Sequence, residues 1–406
     1  MVWIVLSLVV FAAVAWLNRS AGMWLLLASL PLYLVQFEIL SIPTTLLEVF
    51  IYIAVLIFII QNHRGLWARV VNTFKPIFWP VLLIIVGLTV GTIVSPDLRL
   101  SLGIFKGWFV DPLILYFLVA NTIEWKKVEH YVLALLLSTV PMSSLALWQT
   151  IVGDFITVDG RASAWFVSAN YLSMYVVPIL FLGLAVVGSH NRSYKTTVLG
   201  VWVLGVAALY VSFSYGGWLA LLGGLAVLFA VYFSRYWRVW IWAALVPVVA
   251  FVSQLGNERF MKMLDISERS SASVRLQVWQ TGLLMAKEHW PTGIGLGQFR
   301  DQYLSYASRL FNPPWELAIL HAHNLFLQFI INLGVVGLAG FVWLVVRFFS
   351  WFKHNPTLMS IALITAMSAI LVHGLIDTTY WKNDLSALFW VIIALGVIST
   401  KRPATI

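Results

Sequence analysis

The chain contains no cysteine, which excludes disulfides and thiolate metal ligands from the outset. Charge is almost as scarce. Only 10% of the 406 residues are Asp, Glu, Lys or Arg, where a soluble domain carries roughly a quarter. Apolar residues fill their place, at 61% of the chain and a mean hydropathy of +0.92. Runs of membrane length recur from end to end, so the fold class is all-α and the chain reads as a polytopic integral membrane protein. Such runs exclude a transmembrane β-barrel, whose strands alternate over only about 10 residues. No low-complexity tract, solenoid repeat or inverted transporter-type duplication is visible.

The hydropathy pattern places apolar spans at 2–17, 22–37, 44–61, 78–95, 107–121, 129–149, 170–188, 196–213, 217–233, 238–253, 324–345, 358–376 and 385–399. That makes thirteen, or twelve if the first two form a shallow hairpin. "MVWIVLSLVVFAAVAW" lacks a basic leader and a small-residue cleavage site, so it reads as a retained helix. Fourteen of the 25 Lys and Arg residues fall on one side of these spans, four in short loops opposite, and seven in the single long loop 254–323. By the positive-inside rule the fourteen-residue side is cytoplasmic and the long loop faces outward. The formal charge of +9 is therefore mainly a topology signal, with attraction to anionic membrane lipids as a secondary effect and no implication of nucleic acid. The 21 tryptophans suit anchoring at headgroup level. Four regions follow: N-terminal membrane helices (1–150), central membrane helices with an outer loop around Arg161 (151–253), the large outer loop (254–323) and C-terminal membrane helices (324–406).

A loop this long is usually functional. Ser273 to His289 reads as a helix with a broad apolar face built from Val274, Val278 and Leu284 together with Leu276, Trp279 and Leu283. Arg275 and Trp279, four residues apart, project from one side of it, and Pro291 ends it. "GIGLGQF" lacks the GxGxxG spacing and a preceding strand, so it reads as a tight turn rather than a nucleotide loop. At "LHAHNLFLQFIINLGVVG" His321 and His323 stand two apart and Asn324 precedes an apolar run. Asn324 suits an N-cap for a helix starting at Leu325, and spacing alone leaves His323 balanced between an interfacial residue and a general base. Metal binding finds no supporting cysteine or local carboxylate cluster. Arg161, Arg259, Arg269, Arg275, Arg300 and Arg309 share the outer side. Any one of them suits a surface ion pair, yet arginine at a membrane mouth also grips phosphate through its bidentate fork. Arg161 and Arg275 are the strongest candidates, each set among aromatic and apolar residues. Ionisable residues within or beside spans are few: Glu48, Asp111, His373 and Asp377. An ion-coupled transporter would more often place partnered charges at the midplane.

Taken together, "GRASAWFVSANYLSMY", the small-residue opener Ser214-Tyr215-Gly216, the loop's Arg275 and Trp279 before "PTGIGLGQF", and "HAHN" resemble the O-antigen ligase and polymerase superfamily of bacterial envelope glycosyltransferases. The likeness covers about residues 158–380. It implies a GT-C-type enzyme in the bacterial inner membrane with its active site on the extracytoplasmic face. Such an enzyme moves a glycan from an undecaprenyl-diphosphate carrier to a lipid, glycan or protein acceptor, with inversion and with no cofactor or metal. In that frame His323 activates the acceptor hydroxyl, with His321 as a helper. Arg161 and Arg275 hold the carrier diphosphate, and Arg259, Trp279, Asn324 and Tyr215 contribute to substrate binding. Two positions depart from the family pattern: Tyr215 stands where Ser-Arg-Gly is common, and Asn332 where glutamate is common. Arg259, Arg269 or another loop arginine is then expected to supply the missing cation. The alternative reading is a non-catalytic permease or carrier for a small anion or lipid-linked sugar, using the same arginines for binding alone.

Overall fold

The computed structural model describes residues 2–400 apart from 40–41, 158, 190, 259–260, 262–264, 266–268 and 354–356; side chains at 232–244, 246–247 and 254 are also left aside. Helix α1 (Val2–Leu17) leads into α2 (Arg19–Ala28) through Asn18, whose side chain caps α2 by accepting from Ala21 N. The expected span 22–37 is not one helix. Pro31 opens a 3₁₀ turn over Leu30–Leu34, and the chain then pairs β1 (Gln36–Ile39) with β2 (Ile42–Thr45) as a short antiparallel hairpin. Proline has no N–H to continue the ladder of α2, so the helix stops there. The elements that follow are α3 (Leu46–Gln61), α4 (Leu66–Phe74), α5 (Phe78–Ile93), α6 (Leu98–Phe105), α7 (Asp111–Thr122), α8 (Val128–Val152), α9 (Ala169–Leu182), α10 (Leu184–Val187), α11 (Arg192–Ser212) and α12 (Tyr215–Gln254). The long loop contributes α13 (Ser271–Glu288) and α14 (Phe299–Ala307), and α15 (Leu325–Ser350), α16 (Leu358–Gly374) and α17 (Asn383–Thr400) close the chain.

Helix makes up 76% of the structure. Among the described residues seven helical stretches are long and apolar enough to cross a membrane: Leu66–Ile93, Leu98–Thr122, Trp125–Val152, Ala169–Val187, Arg192–Ser212, Leu325–Ser350 and Asn383–Thr400. Four shorter apolar helices, Val2–Leu17, Leu46–Gln61, Tyr215–Val231 and Leu358–Gly374, accompany them. The chain is an all-α multi-pass membrane protein, as its composition requires. The span expected at 238–253 belongs to α12, where most side chains lie outside the described residues.

Two carboxylates within the apolar spans, Glu48 and Asp111, share one cation. Lys106 Nζ lies 2.6 Å from Glu48 Oε2 and 3.8 Å from Asp111 Oδ2. Asn383 donates to Glu48 Oε1 at 3.0 Å, and Tyr52 donates to Asp111. This network ties α3 and α7 to the start of α17, a structural use of buried charge.

The feature that shapes the site is a break in α15. Gly334 adopts φ 65°, ψ −174°, far from helical values and close to glycine-only territory. Phe329 and Phe341, about 18 Å apart on a straight helix, stack at a centroid distance of 4.0 Å because of it. The break costs the bond that Val335 N would make to Ile331 O four residues back. The loop replaces both halves: Val335 N donates to Trp290 O, and Ile294 N donates to Ile331 O, each at 2.8 Å. "PTGIGLG" is thus a tight turn wedged into a helix ladder, with positive φ at Gly293, Gly295 and Gly297. Gly297 N further donates to Asn332 Oδ1 at 3.3 Å, and Leu296 N to Gly91 O at 2.8 Å. Glycines also seat α5 on α15, where a Cβ added to Gly87 would lie 2.7 Å from Gly337 Cα.

Candidate active site

His323 stands at the mouth of α15 with φ 45°, a left-handed conformation unusual for a residue with a Cβ. The turn is fixed on every side. Asn324 caps α15 by accepting from Leu327 N at 2.9 Å, and its own amide donates to Leu375 O at 2.8 Å. Ala322 N donates to Gln328 Oε1 at 2.6 Å. From the loop, Trp279 Nε1 donates to the His323 carbonyl at 2.9 Å. The two-residue spacing of the histidines is therefore broken by a kinked entry. His323 leaves 30% of its side chain exposed, while His321 packs edge-on against Trp108 at 6.3 Å between ring centroids. Burial lowers the His321 pKa to about 4, with the His323 charge acting in the same direction.

His323 Nδ1 meets Asp377 Oδ1 at 3.1 Å. Asp377 lies just past α16 and is 3% exposed. Its other oxygen accepts from Asn170 Nδ2 at 3.0 Å and lies 3.9 Å from an Arg275 nitrogen. Burial alone would raise the Asp377 pKa; the charge and hydrogen bond of His323, followed by the charge of Arg275, outweigh it and hold the carboxyl well below its ordinary range. An ionised Asp377 accepts only, so Nδ1 presents a proton to it, and in the neutral ring the lone pair falls on Nε2. Asn170 is oriented in turn by Ser214 Oγ, which donates to its Oδ1 at 3.1 Å, meets Ser173 Oγ at 2.7 Å, and caps α12 at Gly217 N. Next to Asn170, the Tyr171 ring is held with those of Tyr33 and Phe166 beneath the Lys382 ammonium, 3.8, 4.9 and 4.6 Å away. That contact fastens the start of α9 to the start of α17.

Beside this pair opens a cavity of about 270 Å³ lined by residues that include Asp159, Arg161, Asn170, Tyr215, Gly216 and Arg275. Arg275 is anchored by its Nε to Ile376 O at 3.1 Å, which leaves it bordering both the cavity and Asp377. Its side chain is 20% exposed, and burial lowers its pKa, opposed by Asp377 and reinforced by Arg161. Arg161 pairs with Asp159 at 2.6 Å and reaches Asn170 Oδ1 and Phe213 O at 3.5 Å each. Gly216 is required at the wall: a Cβ there would come within 2.5 Å of His373 Nε2.

The structure thus brings His323, Arg275, Arg161, Tyr215, Trp279 and Asn324 together from distant stretches of chain. Arg259 lies outside the described residues. Arg269 is 60% exposed and paired with Glu316 at 2.5 Å, so it does not line the cavity. Asn332, the second departure from the family pattern, is spent on holding Gly297. The sequence alone offers no partner for His323. Asp377 was visible only as an ionisable residue near a span end, and Asn170 only as part of a motif; their meeting across 207 positions is a product of the fold. The broad apolar face expected for α13 also divides. Val278 is buried, whereas Leu276 and Leu283 are 44% and 60% exposed.

Residues 200–342 match the family model described as O-antigen ligase, in support of the O-antigen ligase and polymerase superfamily. The matched stretch holds Ser214, Tyr215, the loop helix and the His323 turn; Arg161, Asn170 and Asp377 lie outside it. No curated protein matches the chain.

Proposed function

We propose that the protein is a membrane glycosyltransferase that moves a glycan from a polyprenyl-diphosphate carrier, of the undecaprenyl type, to an acceptor hydroxyl. The observation that carries this is the position of Arg275. It borders a two-arginine cavity on one side and approaches the His323–Asp377 pair on the other. A site with cations for a diphosphate and an oriented imidazole within one side chain of each other has the parts needed for a single displacement. Family likeness over 200–342 favours the same chemistry.

In this reading Nε2 of His323 takes the acceptor hydroxyl proton as the oxygen forms its bond to the anomeric carbon. The bond from that carbon to the diphosphate oxygen breaks, and the configuration inverts. Arg161 and Arg275 stabilise the charge that develops on the departing diphosphate. Asp377 stays ionised, fixes the imidazole tautomer and supports the imidazolium that forms, as in the serine-protease triad. Ser214 and Asn170 hold Asp377 in register. Tyr215 contributes a cavity wall where the family commonly has arginine, so the diphosphate rests on two arginines among the described residues. The positive-inside pattern supports an active site at the outer face of a bacterial inner membrane, where lipid-linked glycans and acceptors meet.

The test is reconstitution of purified protein with a polyprenyl-diphosphate glycan and candidate lipid, glycan and protein acceptors. Glycan transfer that vanishes in His323→Ala and weakens in Arg275→Ala is the expected result. Protein-dependent flipping or uptake with no product would replace the enzyme by a carrier.

A further inference from the structure

Helix α13 touches both chain segments that bear the proton-accepting pair. One turn apart on the same face, Arg275 Nε bonds to Ile376 O, beside Asp377, and Trp279 Nε1 bonds to His323 O. These segments come from opposite ends of a long sequence interval, and among the described residues one other side-chain hydrogen bond joins them near the pair, Asn324 to Leu375 O. His323 is meanwhile held at φ 45°, where a residue with a Cβ sits only when its surroundings impose it. Glycine, which tolerates this conformation, could not supply an imidazole.

We infer that Trp279 is a positioning residue: its indole N–H clamps the carbonyl of the left-handed His323, so that α13 staples the base to its orienting acid and links both to the diphosphate cation Arg275. This rests on the glycosyltransferase reading and deepens it. It differs from a substrate-stacking role for Trp279 in a measurable way. A stacking platform acts through the ring face and needs no N–H; a staple acts through the N–H. Occupation of Arg275 by an anion would steady the same helix that fixes His323, so donor binding and base placement are mechanically joined.

The experiment compares wild type, Trp279→Phe and a protein carrying benzothienylalanine at 279, which keeps the bicyclic shape and removes only the N–H. Steady-state transfer is measured against donor concentration. In parallel, amide hydrogen exchange is followed over 322–324 and 375–378. The expected result is at least a tenfold loss of kcat in both variants, with KM within about twofold and faster exchange in both segments. A raised KM with unchanged kcat would make Trp279 a stacking platform and overturn the staple, as would a benzothienylalanine protein that behaves like wild type. Loss of activity in Trp279→Phe alone would be a packing defect and would also overturn it. Should wild-type protein transfer nothing, the glycosyltransferase reading falls and exchange decides the staple by itself: faster exchange supports it, and unchanged exchange refutes it. The strain has its own check. His323→Gly should melt at a higher temperature than His323→Ala, and the reverse order would show that the turn imposes no left-handed backbone.

Discussion

Two breaks bound the first piece of α15, and they are built from opposite materials. At its start the chain turns on His323 at φ 45°, and at its end on Gly334 at φ 65°. The glycine end is made of backbone. Val335 and Ile331 lose each other's hydrogen bond and recover both from the loop, from Trp290 O and Ile294 N, with clearances so small that a Cβ on Gly334 would sit 2.2 Å from Pro291 O. The histidine end is made of side chains: Trp279, Asp377 and Gln328 each contribute one hydrogen bond and Asn324 contributes two. A left-handed turn that only has to pack uses glycine. One that carries an imidazole accepts the steric cost, roughly 1–3 kcal/mol, and spreads its support over several partners.

The sharpest way to break the comparison is to exchange what each end depends on. His323→Ala should lower transfer by about 10²–10⁴-fold, the usual range for removing a general base, while the protein still folds. Gly334→Ala should do the reverse. Alanine is excluded from that φ/ψ region and collides with Pro291 O, so roughly 3 kcal/mol or more of stability is lost. Melting temperature and expression would report it before any assay could. If Gly334→Ala folds normally and His323→Ala does not, the assignment of roles to the two ends is reversed.

Asp377→Asn tests the histidine end more finely. The amide is nearly isosteric, but it can donate to Nδ1 and so favour the tautomer with Nε2 protonated. Transfer should fall by about 10²-fold or more with donor KM little changed. Activity within about twofold of wild type would remove Asp377 from the orienting role.

The two ends were not equally legible in the sequence. Helical class and most spans follow from apolar length, and the cap at Asn324 from residue type alone. "GIGLG" announced a turn, yet its insertion into a helix ladder depends on Gly334, far along the sequence, whose break no hydropathy window registers. Tyr215 and Asn332 stood out only as departures, and the fold explains one of them: Asn332 holds Gly297. The α2 region misled because "LLLASLPLYLVQF" is apolar enough to span, while Pro31 and the following hairpin prevent a continuous helix. Asp377 and Asn170 were unreadable as site residues because each acquires meaning only from a partner on another helix. Local signals reach as far as one element; the acid–base pair is an agreement among four.

Acidity should separate the two ends by the smallest margin of these predictions. His321 is held neutral in the folded protein, with a pKa near 4, whereas an unfolded histidine titrates near 6.5. Between those values the unfolded chain binds the extra proton, so stability contributed by His321 is full above about pH 6.5 and declines as the pH falls toward 4. Asp377 adds to this only lower down: its depressed folded pKa gives stability that is present above the ordinary carboxylate value, about 3.9, and lost as the pH falls below it. The glycine end has no titrating group among its bonds. Melting temperatures in detergent at pH 4.5 and pH 7 should therefore differ for wild type by more than for His321→Gln. An equal difference in the two proteins would show that His321 is not buried as a neutral ring, and that acid sensitivity enters elsewhere than at the His323 turn.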